Sequence, residues 1–458
     1  MRLSDADTGR LPSDVLRFGY DCSAQAVGIV HFGIGAFHRA HQAWYTDAAM
    51  SAGDRNWAIT GVSLRSANVA EQMNPQDGLY TLVERSADTP QARLIGAVRN
   101  VLVASEDPHG VIAALAAPTT HIASFTITEK GYCRKADGSL APDLAGDGSV
   151  YRFLAEGLRC RRNANLPGLT LLSCDNLADN GAQLERLLGE YLAARDPALR
   201  DWFTEYCTCP ATMVDRIVPA TTDADRAEVQ VLLGGLEDLA CVVTEPFSQW
   251  VIEDRFAGPR PRWEQVGAEL IADVAPYELA KLRMLNGAHS ALAYLGLQRG
   301  HEFVHQAIVD PELAPIIDRL MREEGATSLS PAPGQKLDEY ANALIERFRN
   351  PALNHRLSQI AMDGSQKIPQ RWLNTLAFHQ AQNRQCPAIL SALGAWLKHV
   401  RGDHGVIDDP MAEPLRVAWE TSGREKIVDV LFGEGKLIAS TWRPNDAARE
   451  ALAGELAD

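Results

Sequence analysis

Over roughly the first 255 residues, short apolar runs rich in β-branched side chains alternate with stretches whose apolar positions recur three and four apart, as in an α/β domain. The runs predict strands at Val27–Phe32 (VGIVHF), Ala58–Leu64 (AITGVSL), Ile122–Thr128 (IASFTIT), Leu169–Ser173 (LTLLS) and Leu239–Thr244 (LACVVT). Gln183–Ala194 (QLERLLGEYLAA) reads as one of the helices between them. From about Tyr277 the pattern changes to long amphipathic segments, such as LRMLNGAHSALAYLGL and LDEYANALIERF, with few strand-like runs. The expected organisation is an α/β domain over residues 1–276 and a mostly α-helical domain over 277–458. Loops rich in Gly, Pro, Ser and Asp are expected at 135–149 and 327–335.

The first predicted strand runs into Gly33-Ile34-Gly35-Ala36-Phe37-His38-Arg39-Ala40-His41. Two glycines one residue apart after a strand suit a Rossmann-like dinucleotide turn. Gly33 permits the tight backbone, and Gly35 lets a pyrophosphate approach the amides of the following helix. The third glycine of the usual pattern is replaced by His38, and Arg39 beside it could add a phosphate contact. The acidic residue that would hydrogen-bond a ribose at the end of the second strand is missing from Val62-Ser63-Leu64-Arg65. Ser63 could take that role for NAD, or Arg65 could meet the 2′-phosphate of NADP.

A second cluster of chemistry lies in Tyr277-Glu278-Leu279-Ala280-Lys281-Leu282-Arg283-Met284-Leu285-Asn286-Gly287-Ala288-His289. On an α-helix with Lys281 at the origin, Glu278 falls at about 60°, His289 at about 80° and Asn286 at about 140°. Four polar groups then share one sector. Such a set suits hydride transfer at a carbonyl: a lysine in a dry site exchanges the proton, and asparagine donors steady the oxygen as it becomes negative. A solvated helix face carrying a Lys/Glu pair is the plain alternative.

Acidic residues outnumber basic ones by 59 to 44, a formal charge of −15, which argues against broad nucleic-acid binding. No apolar run approaches a membrane span, and the N-terminus lacks the basic start and apolar core of a secretion signal, so a cytoplasmic protein is expected. The eight cysteines are scattered without CxxC pairs and read as reduced thiols. His301-Glu302-Phe303-Val304-His305 (HEFVH) has the letters of a zinc hydrolase helix, with two histidines on one face. That reading needs a third ligand; a packed helix without metal is the alternative.

Seven segments taken together resemble the mannitol dehydrogenase family of long-chain polyol and hexuronate oxidoreductases. They are IVHFGIGAFHRAHQAWYTD (29–47), TITEKGY (126–132), SCDNLADNG (173–181), MVDRIVP (213–219), EPFSQWVIED (245–254), KLRMLNGAH (281–289) and DGSQKIPQR (363–371). The resemblance implies a nucleotide-binding N-terminal domain, a helical C-terminal domain, catalysis without metal and, often, a monomer. The family's KxxxxNxxH motif falls on Lys281, Asn286 and His289, and the asparagine of its SCDN motif on Asn176. These matches imply Lys281 as general acid/base, Asn176 and Asn286 as oxyanion donors, His289 as a substrate partner and Glu278 as proton outlet. Gly33, Gly35, Phe37 and His38 match the cofactor turn, and Val214 and Asp215 match positions near substrate and nicotinamide.

Polyol-oxidising relatives tend to carry Arg eight residues before the basic residue of the DGSxK segment, where this chain has Gln359. The form QIAMDGSQK is more similar to the fructuronate reductase branch, which reduces a keto-uronate to a sugar acid (fructuronate to mannonate). That implies a held carboxylate, with Lys367 and Arg371, or Arg356, as cations. A polyol dehydrogenase acting on mannitol, arabinitol or sorbitol is the alternative.

Overall fold

The run VGIVHF forms strand β1 (Val27–Phe32), the centre of a five-stranded, wholly parallel sheet. Its neighbours are β2 (Ala58–Ser63) on one side and, in chain order after β3 (Tyr80–Glu84), β4 (Gln91–Ile95) and β5 (Val98–Val103), β6 (Ile122–Phe125) on the other. With β7 (Thr170–Ser173) the order across the sheet is β5-β2-β1-β6-β7. Alternate residues serve two cores. Ile29, Ile59, Ile122 and Leu172 enter one cluster, whereas Val30, Val62, Ala123 and Leu171 enter another. A parallel sheet covered on both faces calls for such near-continuous apolar strands, and this is why the sequence displays them so plainly.

The order reverses at β1, where β2 lies on one side and β6 on the other, so the glycine turn leaves the sheet at its switch point, where such sheets bind ligands. The chain divides into two units, Met1–Val274 and Ala275–Asp458. The computed structural model describes residues 1–86, 89–135 and 137–457. Within the first unit, β3 pairs with β4 and with β9 (Val242–Thr244), once β8 (Thr212–Asp215) has intervened along the chain. β10 (Gln249–Glu253) lies between β8 and β11 (Glu269–Ile271) in a third sheet. The apolar pattern had marked five strands; β3, β4, β5, β8, β10 and β11 are additional. The run Ile122–Thr128 is strand only to Phe125, because Thr128 takes a positive φ of 63° and opens a short helix, Thr128–Gly131.

The second unit is helical around one large apolar core that includes Trp372, Trp396 and Trp442. Among the described residues three stretches are π-helical: Lys281–Asn286, Leu320–Gly325 and Pro369–Leu373. The first packs against each of the other two. Glu324 of the second is buried, and its carboxylate accepts the amides of Ala388 and Ile389, both at 2.8 Å, capping the helix Pro387–Arg401. Among the described residues no helix is long and apolar enough to cross a membrane.

Candidate active site

The glycine turn is fixed from below. Gly33 has φ +94°, and a Cβ there would lie 2.1 Å from the carbonyl oxygen of Thr126, so only glycine fits. Gly35 differs: it begins the short helix Ala36–Ala40, and the nearest atom to a Cβ would be Gly33 O at 3.8 Å. The space over Gly35 is open, as a close-approaching pyrophosphate requires. The residues present therefore fit a dinucleotide. Phe37 stacks on His41 with ring centroids 5.1 Å apart.

His38 and Arg39 do not do what the sequence suggested. His38 has no exposed surface and stacks on His31 of β1, centroids 3.4 Å apart and planes 16° from parallel, so it cannot touch a ligand in this conformation. It occupies the place between helix and strand where a third glycine would let the two approach closely. His31 is held by Ser124 Oγ at 2.8 Å and Thr126 Oγ1 at 2.9 Å, and burial lowers its pKa to about 3, so the imidazole is neutral. Burial, followed by the charges of His31 and Arg39, also pushes His38 well below the ordinary histidine value. Arg39 turns inward: its guanidinium donates to Ala240 O at 2.5 Å and Gly35 O at 3.3 Å and lies over the Tyr80 ring. A phosphate contact is replaced by an internal tie. Ser63 is accessible at the end of β2, with its hydroxyl donated to Ser66 O at 2.5 Å.

Hydrogen bonds join the remaining N-terminal motifs. Asp175 accepts the amides of Ile127 (3.1 Å) and Thr128 (2.9 Å) and the Tyr132 hydroxyl (2.9 Å), which clamps SCDN to TITEKGY. Burial raises the Asp175 carboxyl above its usual value, against the lowering effect of these donors. Asn180 exchanges hydrogen bonds with the Thr212 backbone at the start of β8, at 2.9 Å in each direction. Between these anchors Asn176 stands exposed. On β8, Val214 and Asp215 are buried, and the next residue, Arg216, ties the strand to Ala40 O at 2.6 Å, to Glu245 O and to Glu84. Asp175, Asn180 and Arg216 were missed as supports. Their signal was present: each is a polar residue inside or beside an apolar strand run, where burial requires a partner.

In the second unit, Glu278, Lys281, Asn286 and His289 belong to one continuous helical stretch, but the 100° wheel does not apply to it. Lys281–Asn286 is π-helical, closed by hydrogen bonds that span five residues rather than four. Lys281 and Asn286, five apart, therefore return to one face instead of diverging by about 140°. Glu278 precedes Lys281 by three residues, and His289 follows Asn286 by three, in α-helix on either side. The four form one stripe. Glu278, Lys281, Asn286 and His289 are each half-buried. The His289 ring lies 4.7 Å from Phe348 and meets His355 edge-on at 5.1 Å. Its Nε2 is buried without a hydrogen-bond partner, and desolvation, then His355, Arg347 and Arg371, holds its pKa well below the ordinary value. A neutral ring with an uncommitted nitrogen is suited to a substrate hydroxyl.

Arg371 donates through Nη1 to Ser290 Oγ at 2.7 Å and to Asn286 O at 3.3 Å, and burial lowers its pKa to about 10. Lys367 donates to Met362 O at 2.5 Å, and burial, then the charge of Arg371, lowers its pKa. Arg356 is a structural cation, paired with Glu302 and lying over the Phe303 ring.

HEFVH is not one helical turn. Phe303 is extended (φ −124°, ψ 154°) and the helix begins only at Val304, so His301 and His305 do not share a helix face. His301 instead holds Asp310 at 2.9 Å. Among the described residues no group of three or more His, Cys, Asp or Glu side chains could hold a metal.

Residues 27–265 match the family model described as mannitol dehydrogenase Rossmann domain, and residues 273–444 the mannitol dehydrogenase C-terminal domain. The chain belongs to the mannitol dehydrogenase family and is an oxidoreductase of that family. It is 39% identical over 452 residues to the D-mannonate oxidoreductase of Escherichia coli (strain K12), covering 94% of this chain and 93% of that protein. It is 36% identical to the mannitol 2-dehydrogenase of Pyricularia oryzae, covering 94% and 91%. A solved ternary complex of Pseudomonas fluorescens mannitol 2-dehydrogenase with NAD and D-mannitol matches with TM-score 0.82 and 35% identity, covering 100% of this chain and 96% of that one.

Proposed function

We propose that this oxidoreductase uses NAD(H) to reduce the ketone of a keto-uronate, fructuronate to mannonate, with Lys281 as general acid. The observation that carries the choice of a carboxylate-bearing substrate is the pair Lys367 and Arg371: two half-buried cations four residues apart, hydrogen-bonded to Met362 O and to Ser290 Oγ and Asn286 O. The nearest carboxylate to Lys367, Asp363, is 3.9 Å away. Like charges gathered in a partly dry place favour an anion, and a neutral polyol offers none. The similarity to a D-mannonate oxidoreductase supports the same choice, and the NAD in the mannitol 2-dehydrogenase complex supports the cofactor.

The Gly33–Gly35 turn would hold the pyrophosphate and Ser63 the ribose, and Val214 and Asp215 would serve the reacting end. When bound, the nicotinamide supplies the hydride that reduces the carbonyl carbon. Lys281 gives its Nζ proton to the carbonyl oxygen as that oxygen gains charge, and Glu278 returns a proton to the lysine from solvent. Asn286 donates to the same oxygen. His289 accepts or donates at a substrate hydroxyl. The reverse direction runs the proton back to Lys281.

Replacing Lys367 with Met tests the carboxylate. Loss of a charged hydrogen bond, about 1.5–3 kcal/mol, should raise KM for fructuronate by about 10- to 100-fold. KM for any neutral ketose that is turned over should stay the same. Equal changes for both substrates would make Lys367 a structural residue and remove this support.

A further inference from the structure

A π turn is a costly way to build a helix, and it persists where its surroundings hold it. The turn Lys281–Asn286 is held from its middle and at its C-terminal end. Within it, Arg283 donates to Ser328 O at 2.7 Å and to Ser328 Oγ at 2.9 Å. At its C-terminal junction with α-helix, two successive carbonyls receive side-chain donors: Asn286 O from Arg371 Nη1 at 3.3 Å, and Gly287 O from Trp372 Nε1 at 3.1 Å. Both donors come from the third π turn, Pro369–Leu373. Trp372 is fully buried and Arg371 half-buried, and Arg371 also grips Ser290 Oγ one residue beyond His289.

We propose that Arg371 and Trp372 are positioning residues that lock the π register of the catalytic turn and thereby set the phase of Lys281 against Asn286 and His289. A carbonyl has two lone pairs, so each can accept a side-chain donor in addition to any helical amide. The two bonds fix the junction by its backbone. If the turn relaxed to α-helix, Asn286 would swing away from Lys281 by about 140°. Proton transfer at the oxygen and stabilisation of its charge would then no longer act on one atom. For Arg371 this role is separate from any contact with a carboxylate, since Nη1 alone makes the bonds described. The inference rests on the proposed roles of Lys281 and Asn286.

The test is steady-state kinetics on the full-length enzyme with the substrate it turns over, separating kcat from KM. Arg371→Met should lower kcat at saturation by about 100-fold, the size expected for a misplacement near 1 Å. NADH affinity by fluorescence titration should stay within twofold, and Arg371→Lys should recover part of kcat. Trp372→Phe, which keeps the ring and loses the donor, should lower kcat in the same direction. It also serves if Arg371→Met fails to fold. The pH profile of kcat should shift in both variants, because the surroundings of Lys281 change. A rise in KM with kcat intact would leave Arg371 as a substrate ligand only and overturn the inference. So would a parallel fall in kcat, NADH affinity and thermal midpoint. Lys281→Ala separates the two readings: if it retains turnover, the proposed function fails, and if it is inactive while Arg371→Met is not, only the positioning role fails.

Discussion

The glycine turn of the first unit and the π turn of the second illustrate two ways of holding functional groups. In the first, the backbone is the instrument: Gly33 must be glycine because of its φ and the carbonyl of Thr126, and the space over Gly35 is open. In the second, side chains are the instrument, and their phase depends on a helix wound more widely than usual. A backbone requirement leaves a residue type in the sequence. A winding requirement leaves only a spacing, which is ambiguous until the helix type is known.

The comparison is broken most severely at Lys281. Lys281→Ala should reduce kcat by about 1,000-fold, within the range for loss of a general acid. NADH affinity should be nearly unchanged, because the proposed cofactor turn belongs to the other unit. Equal loss of both would make the lysine structural. Next come the glycines, which should separate from each other. Gly33→Ala should lower both the thermal midpoint and NADH affinity, since the Cβ would sit 2.1 Å from Thr126 O. Gly35→Ala has room in the protein and should leave the thermal midpoint unchanged while weakening NADH about tenfold by crowding the pyrophosphate. If the second variant bound NADH normally, the turn would not be the cofactor cradle.

A smaller effect comes from the neutral histidines under that turn. His31 has a folded pKa of about 3, below its unfolded value near 6.5. As pH falls through this window the unfolded chain takes up the proton first. Stability present above about pH 6.5 is therefore lost toward pH 3, by about 1.4 kcal/mol per pH unit for this residue. Urea unfolding at pH 7.5 and 5.5 should show the loss, and His31→Asn should flatten it; an unchanged slope would show that His31 is not the group responsible. Smallest of all, His301→Ala should leave kcat and KM within about twofold, as for a surface substitution away from any special feature. Added zinc should not alter either.

Much of the first unit could be read in advance because its central strands are buried on both faces and so are largely apolar. The strands β3, β4 and β10 were hidden by charged or polar residues such as Glu84, Arg93 and Glu253 at half-buried positions, which interrupt the pattern. The seven motifs pointed to the family, and the KxxxxNxxH spacing to the residues of the proposed site. The five-residue interval from Lys281 to Asn286 is awkward on an α-helix and natural on a π turn. Arg39 and His38 were misread because a glycine-rich turn suggests that everything after it faces the ligand; their burial shows that half of a helical turn must face the sheet. HEFVH misled because four-residue spacing has meaning only within one helix, and Phe303 is extended.

Lys281 is proposed to serve reduction of a ketone on a carboxylate-bearing sugar. The most direct measurement compares kcat/KM for fructuronate with NADH against kcat/KM for mannitol with NAD on the same purified protein. Fructuronate should be favoured by at least about 100-fold, the worth of roughly 2.7 kcal/mol of recognition by the Lys367 and Arg371 cations. Equal values, or brisk oxidation of mannitol with no consumption of fructuronate, would contradict it and make the chain a polyol dehydrogenase.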